Sequence, residues 1–387
     1  MSILKGIEIS GYKSIEHQEI ELGRLNILIG ANGSGKSNLL SFFKLVREMR
    51  HERLKDYVEN WGANALLFYG AKVTKRLEAN LLFQDDDTNN YFVYRVVLTP
   101  TPRDSLILDE SLDLSPRETL NFKTSQGQGF YGCGAGVALE SQLVPSIENW
   151  RRDGTQISQE AAHTGEMVVR NVQKWGIFQF SDTSTSSGIR LRCYRHDNQI
   201  LHSDGHNLAA FLHKLQLTQA TAYRRIIGTI QQIAPWFGDF VLEPIKPNET
   251  DLLLNWQDRY SDDIFGPHQL PDGAIRAMAL VTLLLQPWED LPSLIIIDEP
   301  ELGLHPNAIS IIAALLKQAS LHSQVIIATQ SPTLLDEFDP EDVIVVDRKE
   351  DKSTFTRPSP EKLREWLAEY SLGELWQKNV LGGGPMI

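Results

Sequence analysis

Hydrophobic and polar positions change period several times along the 387 residues. Residues 3 to 29 alternate or run apolar in short stretches, the pattern of strands, and "RLNILI" is a continuous apolar run of the kind a strand covered on both faces shows. From residue 37, "SNLLSFFKLV" places its apolar residues at helical spacing, predicting a helix that runs to about Glu59. Strand patterns return between Leu66 and Leu98. Residues 100 to 135 are rich in Pro, Ser, Thr, Gly and Asp, and "SQGQGFYGCGAG" reads as a flexible loop. Helical spacing resumes from about Leu139 to Lys174, and "HNLAAFLHKLQ" with "YRRIIGTIQQIAPWF" predicts two helices stopped at Pro235. Further on come a helix over 269 to 286 and two buried strands that end near Asp298 and Thr329. No heptad persists and no fixed-period repeat appears, which argues against a long coiled-coil arm.

Composition narrows this only a little. A 42% hydrophobic content is ordinary for a globular chain. No run of eighteen apolar residues occurs and the first residues alternate without a signal-type apolar block, so the expectation is a cytoplasmic protein that uses no membrane. Cys133 and Cys193 have no partner at zinc or redox spacing and are expected to behave as small apolar residues. No metal-ligand spacing stands out among His163, His196, His202, His206 and His213. The formal charge of −13 excludes a chain that coats nucleic acid with its whole surface. Local basic patches remain, at "KLVREMRHERLK" and at "RLRCYR", where a strand would put Arg190, Arg192 and Tyr194 on one face. Such charges also serve simply to solvate a helix.

The chemistry starts at "LIGANGSGKSNLL". A triphosphate needs backbone N–H groups aimed inward, a cation near its outer phosphates and a hydroxyl for magnesium. Gly30, Gly33 and Gly35 let the chain turn tightly, Lys36 can reach the β and γ oxygens, and Ser37 can ligate Mg²⁺ at a helix start whose dipole favours anions. Asn32, Ser34 and Asn38 fall within the same stretch as further nucleotide contacts. The strand before it and the helix after it supply the context that a P-loop requires.

A second motif stands at "LPSLIIIDEPELGLHP", where a short apolar strand delivers two acids at its tip. In this Walker B pattern Asp298 holds magnesium and Glu299 polarises the attacking water and accepts its proton. Upstream, "QLPDGAIRAMALVTLLLQ" begins a helix where ABC-type ATPases carry a signature loop, with Asp272 and Gly273 at its start, which presents a helix N-terminus to a nucleotide held by a partner subunit. Downstream, "SQVIIATQSPTLLDEF" ends a strand at Thr329, Gln330 and Ser331, with Gln330 at the position of a γ-phosphate sensor. The fold expected is α/β, a P-loop NTPase of ABC-ATPase head type with a β lobe and a mainly helical insertion. Its core would be 1–59 and 241–387, the lobe 60–115 and the insertion 116–240.

The order P-loop, signature, acids, sensor, together with "ISGYKSIEH", "FQFSDTS", "DGHNLAAFL", "DEPELGLHP", "ATQS" and "YSLGELWQKNVLGGGP", resembles the SMC/RecF-like ABC-type ATPases, and within them the stand-alone bacterial AAA-family (RecF-like) ATPases, over nearly the whole chain. The resemblance implies ATP and Mg²⁺ as ligands and an ATP-sandwiched homodimer, or a higher oligomer, of heads. It also implies Lys13 of "GYKS" as a phosphate contact, His305 of "LGLHP" as a residue near the dimer seam, and a glutamine, taken as Gln142 in "LESQL", that couples the insertion to the metal. Two departures matter. Pro271 stands where a signature loop has a serine, and Gln330 replaces a sensor histidine, so it can donate an amide N–H but cannot carry a proton.

Nothing in the chain resembles a nuclease cluster, and the segment after Ser331 is shorter than the nuclease domain some relatives carry, so effector chemistry is expected in another chain. Two roles then stand. One is a DNA-associated sensor or clamp in repair or phage defence, with a separate effector (a nuclease or a toxin) and a basic groove that gathers Lys44, Arg47, Arg50, Arg190 and Arg192. The other is an ATP-controlled protein scaffold or toxin-holding switch that does not bind DNA.

Overall fold

The computed structural model describes residues 2–85, 90–102, 104–114, 130–133, 159–247 and 249–384. The chain forms two compact units, one of Met1–Trp175, Pro340–Glu369 and Leu375–Ile387, the other of Gly176–Asp339 and Tyr370–Glu374.

The first unit is built on an antiparallel sheet with strand order β2-β1-β4-β5-β6-β7. Its strands are β1 (Ser2–Tyr12), β2 (Ile15–Glu21), β4 (Leu77–Asp85), β5 (Tyr91–Pro100), β6 (Leu106–Asp113) and β7 (Phe130–Cys133). β1 buries Ile7, Ile9 and Tyr12 completely, and "LNILI" forms β3 (Leu25–Ile29), buried at every position. After the glycine loop comes α1 (Lys36–Arg50), then α2 (Leu54–Trp61) and the short α3 (Ala63–Leu66). α4 (Gln159–Gln173) packs on α1 and β1, with Phe43 edge-on to Trp175 at 5.5 Å. The Asn171 amide donates to the Ser2 carbonyl at 2.7 Å. β16 (Val343–Lys349) pairs in parallel with β3 and antiparallel with β17 (Lys352–Thr356), and α10 (Pro360–Leu367) follows.

The chain leaves this unit within β8 (Trp175–Phe178). The second unit holds β9 (Cys193–Tyr194), the helix pair α5 (Leu208–Thr218) and α6 (Ala220–Ile233), and β10 (Phe237–Val241). Three short strands follow, β11 (Asp251–Leu252), β12 (Asn255–Asp258) and β13 (Ile264–Phe265). α7 (Asp272–Leu285) is buried at all but a few positions, as a helix that is apolar all round must be, and packs on α6 and on α8 (Pro306–Ala319). β14 (Leu294–Asp298) and β15 (Gln324–Thr329) run parallel, Asp298 opposite Ala328, so both deliver their C-terminal residues at one edge. The short α9 (Pro332–Leu335) follows β15, and α11 (Leu372–Gln377) lies near the end of the chain.

Several expectations are corrected. The helix expected to reach Glu59 ends at Arg50, and α2 starts afresh at Leu54, because Glu52 takes a left-handed φ of 60° that breaks the ladder without a glycine to announce it. The expected loop over 100 to 135 contains β6, whose "LILDESLD" pairs with β5 in register Leu98 to Leu108, and β7, so cross-strand pairing overrides a turn-rich composition. Of the helix expected from Leu139, the described part is α4.

Within residues 60–115, β4, β5 and β6 extend the sheet of β1 and β2. Within residues 116–240, α4 packs in the first unit, while α5 and α6 belong to the second.

The "RLRCYR" strand shrinks to two residues behind a 3₁₀ turn, Gly188–Arg190. Arg190 is buried, with its guanidinium donating to the Thr183 carbonyl at 2.8 Å, to the Leu270 carbonyl at 3.1 Å and to Asp272 at 2.7 Å. Arg50 is buried in an ion pair with Glu110 and also donates to the Tyr94 hydroxyl at 2.8 Å. Arg47 donates to Glu48 at 2.9 Å. The groove drawn from five cations therefore loses Arg50 and Arg190, which are spent on neutralising and capping groups inside the fold. Cys193 is buried, and burial raises its thiol pKa. Among the described residues, no helix is long and apolar enough to cross a membrane.

Candidate functional site: a glycine-rich loop and an acidic strand tip

In the first unit the loop from Gly30 to Gly35 links β3 to α1. Its glycines are required by space and conformation. A Cβ on Gly30 would lie 2.2 Å from the Val346 carbonyl oxygen and 2.7 Å from Ser34 Oγ, while Gly35, at φ 118°, caps α1 where a Cβ would strike Ser353 Oγ. Gly33 is left-handed too, at φ 79°, with open space beside it.

Ser34 Oγ is buried with no hydrogen-bond partner, a polar atom inside a cradle that an added methyl would fill. Lys36 is buried, and its ammonium donates to the Gly30 carbonyl at 2.6 Å and the Ala31 carbonyl at 3.2 Å, which curls it back over the loop. Ser37 and Asn32 are exposed. These groups fit a polyphosphate, since helix-start amides, an ammonium and two hydroxyls converge on one short loop.

Neighbouring residues hold that loop. Asn38 Nδ2 donates to Ser14 Oγ at 2.6 Å, Ser14 bonds Ser353 Oγ at 2.7 Å, and Ser353 donates to the Ser34 carbonyl at 2.7 Å. Asn38 is thereby a brace for the loop. Lys13 sits at φ 45° in the turn after β1, its ammonium donating to Ser41 Oγ at 2.9 Å and lying 5.3 Å from the centre of the Trp61 ring. Ser41 is one turn beyond Ser37 on the same face of α1, so Lys13 is brought alongside the helix that the loop starts. Burial lowers its pKa, with repulsion from Lys44 adding to the effect.

In the second unit, Asp298 ends β14 and Glu299 continues the ladder, its N–H donating to the Ala328 carbonyl at 2.8 Å. Glu299 is left-handed at φ 48°, an uncommon conformation for a side chain of this size, which the fold maintains at the tip of a parallel strand where such sheets gather ligands. Gln330 Nε2 donates to Glu299 Oε1 at 2.8 Å, so the amide expected at a phosphate is bound here to the candidate base.

Two residues that sequence reasoning missed complete this arrangement. Glu301 is half-buried, with one oxygen accepting from Thr329 Oγ1 at 2.6 Å and the other buried without a partner. Burial raises its pKa, and the nearby Glu299 charge adds to the rise. Arg276, from the first turns of α7, donates to the carbonyls of Phe180, Ser181 and Leu302 at 3.2, 2.5 and 3.2 Å, and lines a small cleft together with Asp298 and Glu299. The signal available for both was position alone, Glu301 two residues after the base and Arg276 three after Gly273.

The start of α7 is held against the loop that follows the acids. A Cβ on Gly273 would lie 2.1 Å from the Gly303 carbonyl oxygen, so only glycine permits this backbone approach. Asp272 is exposed at the first turn, and its hydrogen bond from Arg190 holds its carboxyl below the usual range. His305 is the exposed N-cap of α8, its Nδ1 accepting from Asn307 N at 3.4 Å, which accounts for the residue as a helix cap. Gln142 lies outside the described residues.

Residues 1–131 match the family described as "AAA ATPase domain", and residues 194–336 match the one described as "AAA domain, putative AbiEii toxin, Type IV TA system". Each of these two segments is similar to an AAA-type ATPase domain. No curated protein matches. Among solved structures, an SmcHead bound to the C-winged helix domain of ScpA is similar with a TM-score of 0.60 at 16% identity, over 93% of this chain and 99% of that one. An Smc head domain with an extended coiled coil, bound to the C-terminal domain of ScpA and derived from Pyrococcus furiosus, gives 0.55 at 13% identity, over 95% and 99%. One with a coiled coil and joint from Pyrococcus yayanosii gives 0.54 at 12%, over 95% and 99%. The fold is thus the mixed α/β, ABC-type P-loop fold of SMC heads, as the motif order led one to expect.

Proposed function

We propose that the chain binds and hydrolyses ATP, and that two copies close on ATP to switch a separate effector protein. The observation that carries the reading is the glycine loop, with no room for a Cβ at Gly30 or Gly35, a buried hydroxyl without a partner at Ser34 and a lysine curled over it. Backbone amides of the loop and the start of α1 would bind the phosphates, with Lys36 neutralising the outer ones and Lys13 adding positive charge. Magnesium, when bound, neutralises phosphate charge in phosphoryl transfer, and the Ser37 hydroxyl and Asp298 carboxylate are the groups to hold it.

Glu299 takes the proton of the attacking water. Gln330 fixes one oxygen of that carboxylate, which directs the other toward its task. In the dimer, the start of α7 at Asp272 and Gly273 would face a nucleotide held by the second copy, with His305 near the seam.

As to the partner, a protein effector is the better supported. Arg50 and Arg190 are buried and paired, the net charge is −13, and the second family match carries a toxin description. A role in defence with a toxin or nuclease effector agrees with these observations. A DNA-associated role in sensing or repair would have to rest on Lys44, Arg47 and Arg192.

Lys36→Ala is expected to weaken ATP binding at least 100-fold, and Glu299→Gln to bind ATP normally, stop phosphate release and become more dimeric with ATP than with ADP. A Glu299→Gln protein that turns over at the wild-type rate refutes the assignment of the base. Duplex DNA titrated into ATP-locked Glu299→Gln at about 50 mM salt should show no binding, and tight, steeply salt-dependent binding would restore DNA as the partner.

A further inference from the structure

Between β9 and α5, in the second unit, three residues that carry no evident metal spacing in the sequence come together. His202 Nε2 lies 2.8 Å from Asp197 Oδ1, and His206 Nε2 lies 3.3 Å from Asp197 Oδ2. One ligand atom from each of Asp197, His202 and His206 falls within 4.8 Å of the others. The two rings stack, with centroids 4.5 Å apart and planes 13° from parallel, so both Nε2 atoms face the same carboxylate. We propose that Asp197, His202 and His206 form a binding site for one divalent transition-metal ion of the zinc class.

The arrangement is prepared on three counts. First, the donors are of the right kind, since two imidazoles and a carboxylate suit zinc and its neighbours and do not suit magnesium. In a tetrahedral site with bonds of about 2.0 Å the ligand atoms stand about 3.3 Å apart, close to the separations here. A fourth position would go to water.

Second, the loop is rigidly tied. The Asn207 amide donates to the carbonyls of Asp197 and Ile200 at 2.9 and 2.8 Å and accepts from the His202 N–H at 2.9 Å, so all three ligands are set before α5 begins. His206 is further confined by Gly188, where a Cβ would lie 2.6 Å from His206 Cβ.

Third, His206 has the outer partner that ligating histidines have. Its Nδ1 is 2.7 Å from Asp204 Oδ1, and an ionised carboxylate only accepts, so Nδ1 carries the proton. In the neutral ring Nε2 then presents a lone pair to Asp197, two electron-rich atoms at 3.3 Å. A cation between them resolves the conflict. The alternative is a second proton on His206 alone, with His202 a neutral ring donating from Nε2 to Asp197, and the metal titration below separates the two.

The site is separate from the magnesium ligands assigned to nucleotide hydrolysis and stands whether or not that reading holds. The test uses the full chain without a polyhistidine tag, first freed of metal by a chelator. Zn²⁺ is titrated against a chromophoric competitor, and Co²⁺ binding is followed by its visible absorption. The expected result is a tight site lost by at least 100-fold in His206→Ala and in Asp197→Asn, weakened about 10- to 100-fold in Asp204→Asn, and unchanged in His196→Ala. Co²⁺ should give the intense absorption of a tetrahedral site, and saturating Zn²⁺ should raise the melting temperature of wild type and of His196→Ala but not of His206→Ala or Asp197→Asn.

Should His206→Ala fail to fold, Asp197→Asn, which keeps the size and one acceptor oxygen, gives the same decision. Zn²⁺ bound as tightly by Asp197→Asn as by wild type, or no binding by wild type, overturns the proposal, and the second result would leave the cluster a set of charge-assisted hydrogen bonds.

Discussion

The glycine loop of the first unit and the acidic strand tip of the second are both positioned at the ends of buried strands, yet they are built by different means. The loop is shaped by backbone. Gly30 and Gly35 have no space for a side chain, Gly33 and Gly35 take positive φ, and the braces reach it through the Ser34 carbonyl. The tip is shaped by side chains, with Gln330 on Glu299, Thr329 on Glu301 and Arg276 on three carbonyls. A backbone device should fail all at once when a methyl is added, whereas a side-chain network should fail by degrees, one bond at a time.

The sharpest way to break this contrast is Gly30→Ala. The new Cβ would press on the Val346 carbonyl, which belongs to a strand paired with β3 and cannot easily give way. The expected cost is about 3 kcal/mol of stability, with ATP affinity reduced at least 100-fold. Thermal unfolding and equilibrium nucleotide binding measure both. A Gly30→Ala protein that binds ATP normally would show that the loop is not closed by backbone packing. Gly33→Ala is the milder companion, since a Cβ there meets nothing and only the positive φ opposes it.

At the strand tip the effects should be graded. Gln330→Ala removes one hydrogen bond to a charged oxygen, worth about 1.5–3 kcal/mol, so turnover should fall about 10- to 100-fold with ATP affinity unchanged. Gln330→Glu should be worse, because a carboxylate then meets the Glu299 carboxylate. Single-turnover phosphate release separates these from binding defects. A Gln330→Ala protein that loses affinity but keeps its turnover would mean that the amide serves the nucleotide, as its place in the sequence suggests, and does not serve Glu299.

The same contrast explains what the sequence made legible. Glycines at fixed spacing, a lysine and a serine between a buried strand and an amphipathic helix write the loop into consecutive residues, and "LIIIDE" does so for the acids. The fold class followed from their order. Arg50 and Arg190 were misread, because a cation on a helix face or a short strand looks solvated until Glu110 and Asp272, each more than fifty residues away, are brought beside it. Glu301 and Arg276 were passed over for the same reason, since their partners are Thr329 and the carbonyls of residues 180, 181 and 302. β6 hid in a stretch whose composition favours turns, and its identity came from β5. The pairing of His202 with His206 depended on an asparagine five residues along that folds the loop back on itself.

The smallest effect expected is also the one that reports most directly on the side-chain network, and it concerns Glu301. Burial and the charge of Glu299 raise its pKa, outweighing the hydrogen bond from Thr329 that favours the ionised form. The folded state thus holds this proton more tightly than the unfolded state does. The stability that results is fully present below the ordinary glutamate value of about 4.3 and is lost as pH rises through the raised folded value. Above that range an ionised, buried carboxylate with one unpartnered oxygen burdens the fold. Glu301→Gln is neutral at every pH and keeps the acceptor for Thr329, so it should lack this loss. Melting temperatures taken without nucleotide or magnesium, from about pH 4 to about pH 7, should show the variant gaining on wild type as pH rises. Thr329→Val removes the side-chain donor that stabilises the charge and should widen the effect in an otherwise wild-type background. A gap between Glu301→Gln and wild type that stays constant with pH would mean that Glu301 does not change its protonation across this range, and the raised pKa that its surroundings give it would be refuted.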